Sequence, residues 1–277
     1  MKHLLIIAII LTSCGRHDEQ EPETIPEWSD VTLKVQSYEK QIPKAQDEFG
    51  FVGVRCDSTT FSALLSAFNS NIEIDLHLAE REPGFWKRHA EECKPDNETS
   101  VDVYLMVLHW LLSRTDTDSA MVDLREIIAR GESNFWIMGQ GQFANISVLV
   151  PLIYKLESKL ESKIHGDKMR FTDEIPMLKG HKPNINAMYI LLDGRIDGYL
   201  NSMELAAMEL LTIGSPRNIM FQAIYHRFKD GDFSNVAKLA AEDFGDEINL
   251  ETGIYERWGS LPYFEALIVA YGIAIGI

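Results

Sequence analysis

The sequence predicts a mainly α-helical fold: an array of antiparallel helical hairpins, about eight helices, with minor short strands. Three observations carry this expectation. Apolar residues recur at i, i+3, i+4 and i+7 in segment after segment, which puts them on one helical face. Asp, Asn, Gly and Pro fall between those segments, where helices start and stop. Strict apolar–polar alternation marks residues 72–78, residues 32–40 read as a short strand or a helix, and no βα series surrounds either. With 277 residues, 45% hydrophobic and 25% charged, the chain has the composition of a globular protein and the length of one large domain.

The N-terminus comes first. Lys2 and His3 precede an unbroken hydrocarbon run, residues 4–11. Those residues make about 12 Å of helix, far short of a ~30 Å bilayer core. The run is therefore the core of an export signal and not a span. It ends in Leu11-Thr12-Ser13-Cys14, which resembles the lipobox of bacterial lipoproteins: leucine three before the cysteine, small residues between. The resemblance implies cleavage before Cys14, a diacylglyceryl group on its sulfur and a fatty acyl chain (palmitate) on the new amine. Several chains anchor firmly where one binds marginally. The expected partition is a signal peptide at 1–13, a lipid-anchored tether at 14–48 and a single helical domain at 49–277. Gly15, in place of an aspartate, leans the location toward the outer membrane. Residues 15–30 are acidic and proline-punctuated, the composition of a linker.

Order is expected to begin near residue 49. A helix follows at 59–68 on Phe61, Leu64, Leu65 and Phe68, capped by Ser58 or Thr59. Residues 72–78 read as a strand or extended arm, and Glu82-Pro83-Gly84 as a turn. Residues 100–114 form the most apolar helix, which belongs inside. Asp116-Thr117-Asp118 turns the chain into a helix at 121–130, ended by Gly131, giving an αα-hairpin. A helix at 145–163 carries Leu152, Leu156 and Leu160 on one row; Lys155, Lys159 and Lys163 on another read as a solvated face. Segments 184–192 and 202–211 form a second hairpin across Asp193-Gly194. A helix starting at Pro216, a turn at residues 230–232, a short helix to Phe244 and a buried helix over 261–277 complete the array.

The formal charge of −16, with no run of about five basic residues, excludes non-specific nucleic-acid binding. If Cys14 carries lipid, Cys56 and Cys93 remain in an oxidising compartment, which favours a disulfide over two buried thiols. Such a bridge is worth about 3–4 kcal/mol by chain entropy.

Several constellations bear chemistry. Asp193, Asp197, Asn201 and Glu204 stand at positions 1, 5, 9 and 12 of a stretch that resembles an EF-hand calcium loop, with Gly198 at the sharp turn. Arg195 departs from that pattern where a ligand belongs. Ca2+ at 193–204 is the one cofactor entertained; none is otherwise expected. Gly139-Gln140-Gly141 opens a G-x-G-x-x-A pattern, read as a tight helix entry because no βαβ series surrounds it. His109 lies in an apolar helix and reads first as a core histidine. Arg55, Asp57, Trp86, Arg88, Asp102, Gln140, Glu256, Arg257 and Trp258 lie at helix starts or in loops, positions that gather on one rim of a hairpin array. Aromatic plates among carboxylates and arginines are similar to those of (α/α)-toroid glycosidases and polysaccharide lyases, over about residues 50–277, on fewer helices than a full toroid. That resemblance implies Asp57, Asp102, His109 and Glu256 as catalytic candidates. It makes Trp86, Arg88, Gln140, Arg257 and Trp258 sugar contacts. The alternative places Asp57 and Asp102 at helix N-termini as caps or first-turn acids. The leading expectation is a lipid-anchored envelope protein that binds a ligand, a glycan or an envelope protein; the other is a carbohydrate hydrolase or lyase.

Overall fold

A computed structural model of the chain describes residues 27–53, 57–91, 98–140, 144–165, 183–248 and 264–277. It is mainly α-helical, with 11 helices and one two-stranded sheet among the described residues. None of these helices is long and apolar enough to cross a membrane.

Helix α1 (Trp28–Glu39) corrects the expected tether. Val31, Val35 and Tyr38 are buried, and α2 (Ile42–Ala45) buries Ile42. The folded body thus includes residues 28–45, ahead of the expected start near residue 49. The cause is visible in α1: Trp28 stacks on Tyr271, and Lys34 Nζ donates to the carbonyls of Ala240 and Phe244. Those partners lie over two hundred residues away, out of reach of local composition.

Helix α3 (Ser58–Phe68) packs along α4 (Val101–Ser113), whose side chains are almost all buried, as its composition requires. Between them the expected arm is not a strand. Residues 72–75 are irregular and Leu76–Ala79 is a single 3-10 turn, with Asp75 accepting from the His77 amide. Ile72 and Leu76 still point into the core, but no partner strand runs beside them. The sheet is the short hairpin β1 (Glu80–Glu82) and β2 (Phe85–Trp86), turned at Gly84. Gly84 has φ +73, and a Cβ there would lie 2.3 Å from the Glu126 carbonyl oxygen.

Helix α5 (Thr117–Ser133) is capped by Asp116 as predicted and runs through Gly131, against which the Trp136 ring folds. Helix α6 (Val150–His165) takes Pro151 in its first turn, where a missing N–H costs nothing. Helices α7 (Pro183–Asp197), α8 (Ser202–Gly214), α9 (Ile219–Lys229) and α10 (Ser234–Asp243) follow, each in contact with the next except that α7 also reaches α9. The last described helix, α11 (Phe264–Ile275), lies between α3 and α9, with α1 across it. Its backbone presses on α3: a Cβ at Gly272 would lie 2.2 Å from the Phe68 carbonyl oxygen. Contacts α3–α4, α4–α7, α7–α9, α9–α11 and α11–α3 therefore close a ring of five helices.

Candidate functional site

The residues predicted at the rim divide. Asp57 occupies the N-cap position of α3, but its carboxylate does not cap. It accepts from the Arg88 guanidinium, through Nε at 2.7 Å and through a second, shorter contact. Main-chain bonds support the pair: Thr59 N–H donates to Arg88 O at 3.0 Å, and Arg88 N–H to Glu98 O at 2.9 Å. Asp102 is a first-turn acid of α4. Gln140 is exposed, beside a Gly139 whose added Cβ would meet Phe85 at 2.9 Å. That close approach accounts for the first glycine of the G-x-G pattern.

Trp86 is not a sugar platform. It is fully buried, edge-on to Trp110 at 5.6 Å and tilted against His77. His109 is a core histidine. Its Nε2–H donates to the Met188 carbonyl at 2.9 Å and its Nδ1 accepts from Arg195 at 3.1 Å. Burial, and then the Arg195 charge, hold its pKa well below the usual histidine range. Asp57, Asp102 and His109 therefore form no cleft with two available carboxylates. Arg55, Cys56, Cys93, Glu256, Arg257 and Trp258, with Cys14, lie outside the described residues.

The four residues of the calcium reading have other partners in the fold. Asp193 and Asp197 lie in the last turns of α7, not in a loop, and both face Lys155: Nζ is 2.5 Å from Asp193 Oδ1 and 2.6 Å from Asp197 Oδ2. Asn201 and Glu204 form a capping box. Asn201 Oδ1 accepts from the amides of Met203 and Glu204, and Glu204 Oε2 accepts from the Asn201 amide at 2.8 Å. The spacing that mimicked ligand positions 9 and 12 is the spacing of that cap. Burial foremost, with the Asp193 carboxylate beside it, pushes Glu204 up to about 7. Among the described residues no group of three or more His, Cys, Asp or Glu is placed to hold a metal ion.

Of the lysine row, expected on a solvated face, Lys163 is exposed and Lys159 half-buried, and the row leads to the site. Lys155 is largely buried in its acidic clamp, and Lys163 Nζ donates to the Leu112 carbonyl at 3.4 Å. Lys159 and Lys163, one turn apart on α6, line a cavity of about 390 Å³. Six helices bring their C-terminal turns to it: Phe68 closes α3, Leu112 α4, Lys163 α6, Arg195 α7, Arg227 α9 and Ile273 α11. Phe68, Leu112, Leu191, Phe228 and Ile273 give apolar wall. Lys159, Lys163, Arg195 and Arg227 give the charge, and no Asp or Glu lines it.

Glycines make the room. A Cβ at Gly276 would lie 2.7 Å from the Arg227 guanidinium, and one at Gly194 would strike Leu200 at 2.6 Å and Phe228 at 2.7 Å. The Arg195 guanidinium lies 4.5 Å over the Phe68 ring and also contacts the His109 carbonyl at 3.4 Å. Burial lowers it to about 10. Lys163 is lowered too, by burial first and then by the charges of Lys159 and Arg195. Lys159 and Arg227 have no hydrogen-bond or ion-pair partner among the described residues. Among the described residues no Asp, Glu, Cys, Ser, Thr or Tyr side chain lines it, and its polar side chains are the four cations.

Sequence reasoning missed this cavity. Its signal was basic residues recurring in the last turns of separate helices, Arg195 in α7 and Arg227 in α9. Comparison with known protein families, with characterised proteins and with solved structures finds no match to the chain.

Proposed function

We propose that this chain is a lipid-anchored cell-envelope protein whose helical domain binds a small ligand in the cavity at the C-terminal ends of α3, α4, α6, α7, α9 and α11. The observation that carries the binding role is the cavity itself. Its volume of about 390 Å³ lies within the range of small-molecule sites, with apolar wall and a few convergent polar groups.

The address rests on Leu11-Thr12-Ser13-Cys14, with Cys14 carrying the lipid, outer membrane favoured over inner. A Cys56–Cys93 disulfide is part of the reading. The hydrogen bonds joining Thr59, Arg88 and Glu98 bring chain that follows Cys56 beside chain that flanks Cys93, which supports the reading. Ligands then come from the envelope, as a free small molecule or as part of a glycan or envelope protein.

The test uses the full chain in lipid nanodiscs, screened against a fragment library by ligand-observed NMR with empty nanodiscs as reference. Leu112→Trp, which enlarges a lining side chain, is screened in parallel. Hits that bind the parent and are lost in L112W support the reading; no hits, or hits unchanged in L112W, sink it.

A further inference from the structure

We infer that the cavity takes a small organic anion: a carboxylate, phosphate or sulfonate head on a ring or short hydrocarbon body. This rests on the reading of the cavity as a binding site and names the class of ligand it selects.

The first argument is charge. The chain as a whole carries −16, yet this cavity collects Lys159, Lys163, Arg195 and Arg227 with no acidic side chain in its lining. Like charges one helical turn apart, as Lys159 and Lys163 are, destabilise a helix unless something offsets them. Walls of low dielectric strengthen the field of such a cluster and concentrate anions within it.

The fold offsets part of this charge, and that part identifies the remainder. Helix C-termini carry partial negative charge, so basic side chains there are favourable in themselves. Lys163 and Arg195 serve this purpose, reaching the Leu112 and His109 carbonyls. Lys159 and Arg227 reach no carbonyl or carboxylate among the described residues. They are surplus to helix capping. The Arg195 guanidinium is fixed from behind by His109 Nδ1 and by the Phe68 face, so it is oriented before any ligand arrives.

The second argument is shape. An inorganic ion would leave Leu112, Leu191, Phe228 and Ile273 without contact, and a neutral hydrocarbon would leave the surplus cations uncompensated. A molecule with an anionic head and an apolar body satisfies both walls. Arg and Lys together accommodate carboxylate or phosphate geometry, the guanidinium bidentate and the ammonium as a point charge.

The experiment is an isosteric series on the full chain in nanodiscs: 4-phenylbutyrate, 4-phenylbutanol and 4-phenylbutylamine, titrated by calorimetry with empty nanodiscs subtracted. The expected result is that the butyrate binds at least ten-fold more tightly than the alcohol, and the amine most weakly. The double variant Lys159→Gln/Arg227→Gln, whose side chains hold no structural bond, should lose about five-fold or more for the butyrate and leave the alcohol unchanged. Unchanged thermal unfolding of that variant certifies its fold. Equal binding of butyrate and alcohol, or a butyrate affinity indifferent to the double substitution, overturns the anion inference and leaves the binding reading standing. Binding of none of the three overturns both.

Discussion

Arg195 donates to Nδ1 of His109 at 3.1 Å, across the join between α7 and α4, while the opposite ring nitrogen donates to the Met188 carbonyl at 2.9 Å. A ring bonded in this way must be neutral, because protonation would place an N–H against the guanidinium.

From this follows a pH prediction. His109 is depressed in the folded chain and ordinary in the unfolded one, so the unfolded state alone takes up its proton as pH falls below about 6.5. Its stabilising effect is present above that pH and is lost progressively below it. In NMR titration the His109 ring should titrate well below an ordinary histidine; a midpoint at or above about 6.5 would contradict the geometry.

Glu265 predicts the opposite slope. It lies in the first turn of α11, fully buried, with neither carboxylate oxygen bonded, and burial pushes it up to about 8. The folded chain therefore prefers the protonated acid, and stability falls as pH rises from about 4.5 through 8. Glu265→Gln should change little at pH 4–5 and stabilise by about 2–4 kcal/mol above pH 8. Urea unfolding at the two pH values reads the difference; an equal effect at both refutes it.

The Lys155 clamp predicts a strong, asymmetric penalty. Lys155→Met leaves Asp193 buried without its cation and should cost about 3–5 kcal/mol. Combining it with Asp193→Asn should recover part of that loss, so the double-mutant cycle shows a coupling well above 1 kcal/mol. Additive effects would mean the two groups do not act on each other. Calcium should leave the unfolding temperature of the parent unchanged, since its would-be ligands surround an ammonium.

Gly272→Ala tests the α11–α3 crossing. The added carbon would sit against the Phe68 carbonyl, and relief requires moving backbone, at a cost of about 1–3 kcal/mol. Gly231→Ala is a poor control because φ is +73 there; Gly214→Ala, in open space without such strain, should be nearly silent.

What was legible in the sequence follows from distance along the chain. The helices α3 to α6, the cap at Asp116 and the burial of α4 depend on neighbours a few residues apart, so periodicity and end signals exposed them or came close. The α1 segment read as either strand or helix, because Trp28 is matched by Tyr271 and Lys34 by α10, far along the chain. The calcium-like spacing misled for a related reason. Asp193 and Asp197 are one turn apart on a helix, and the partner that decides their role, Lys155, sits some forty residues upstream. Lys159, Lys163, Arg195 and Arg227 come together only through the packing of three helices, and no local pattern encodes that meeting.

The cavity also sets a timetable. Its walls are gathered from Phe68 through Ile277, and α11 with the residues just after it supplies Ile273, Gly276 and Ile277. It is complete only when the last of its six helices is in place. Occupancy by a ligand is therefore a readout of completed topology: a nascent or clipped chain that lacks α11 has the cations but no enclosure to use them in. Ligand-dependent protection from protease should then appear all at once along the chain, as a threshold and not a gradient.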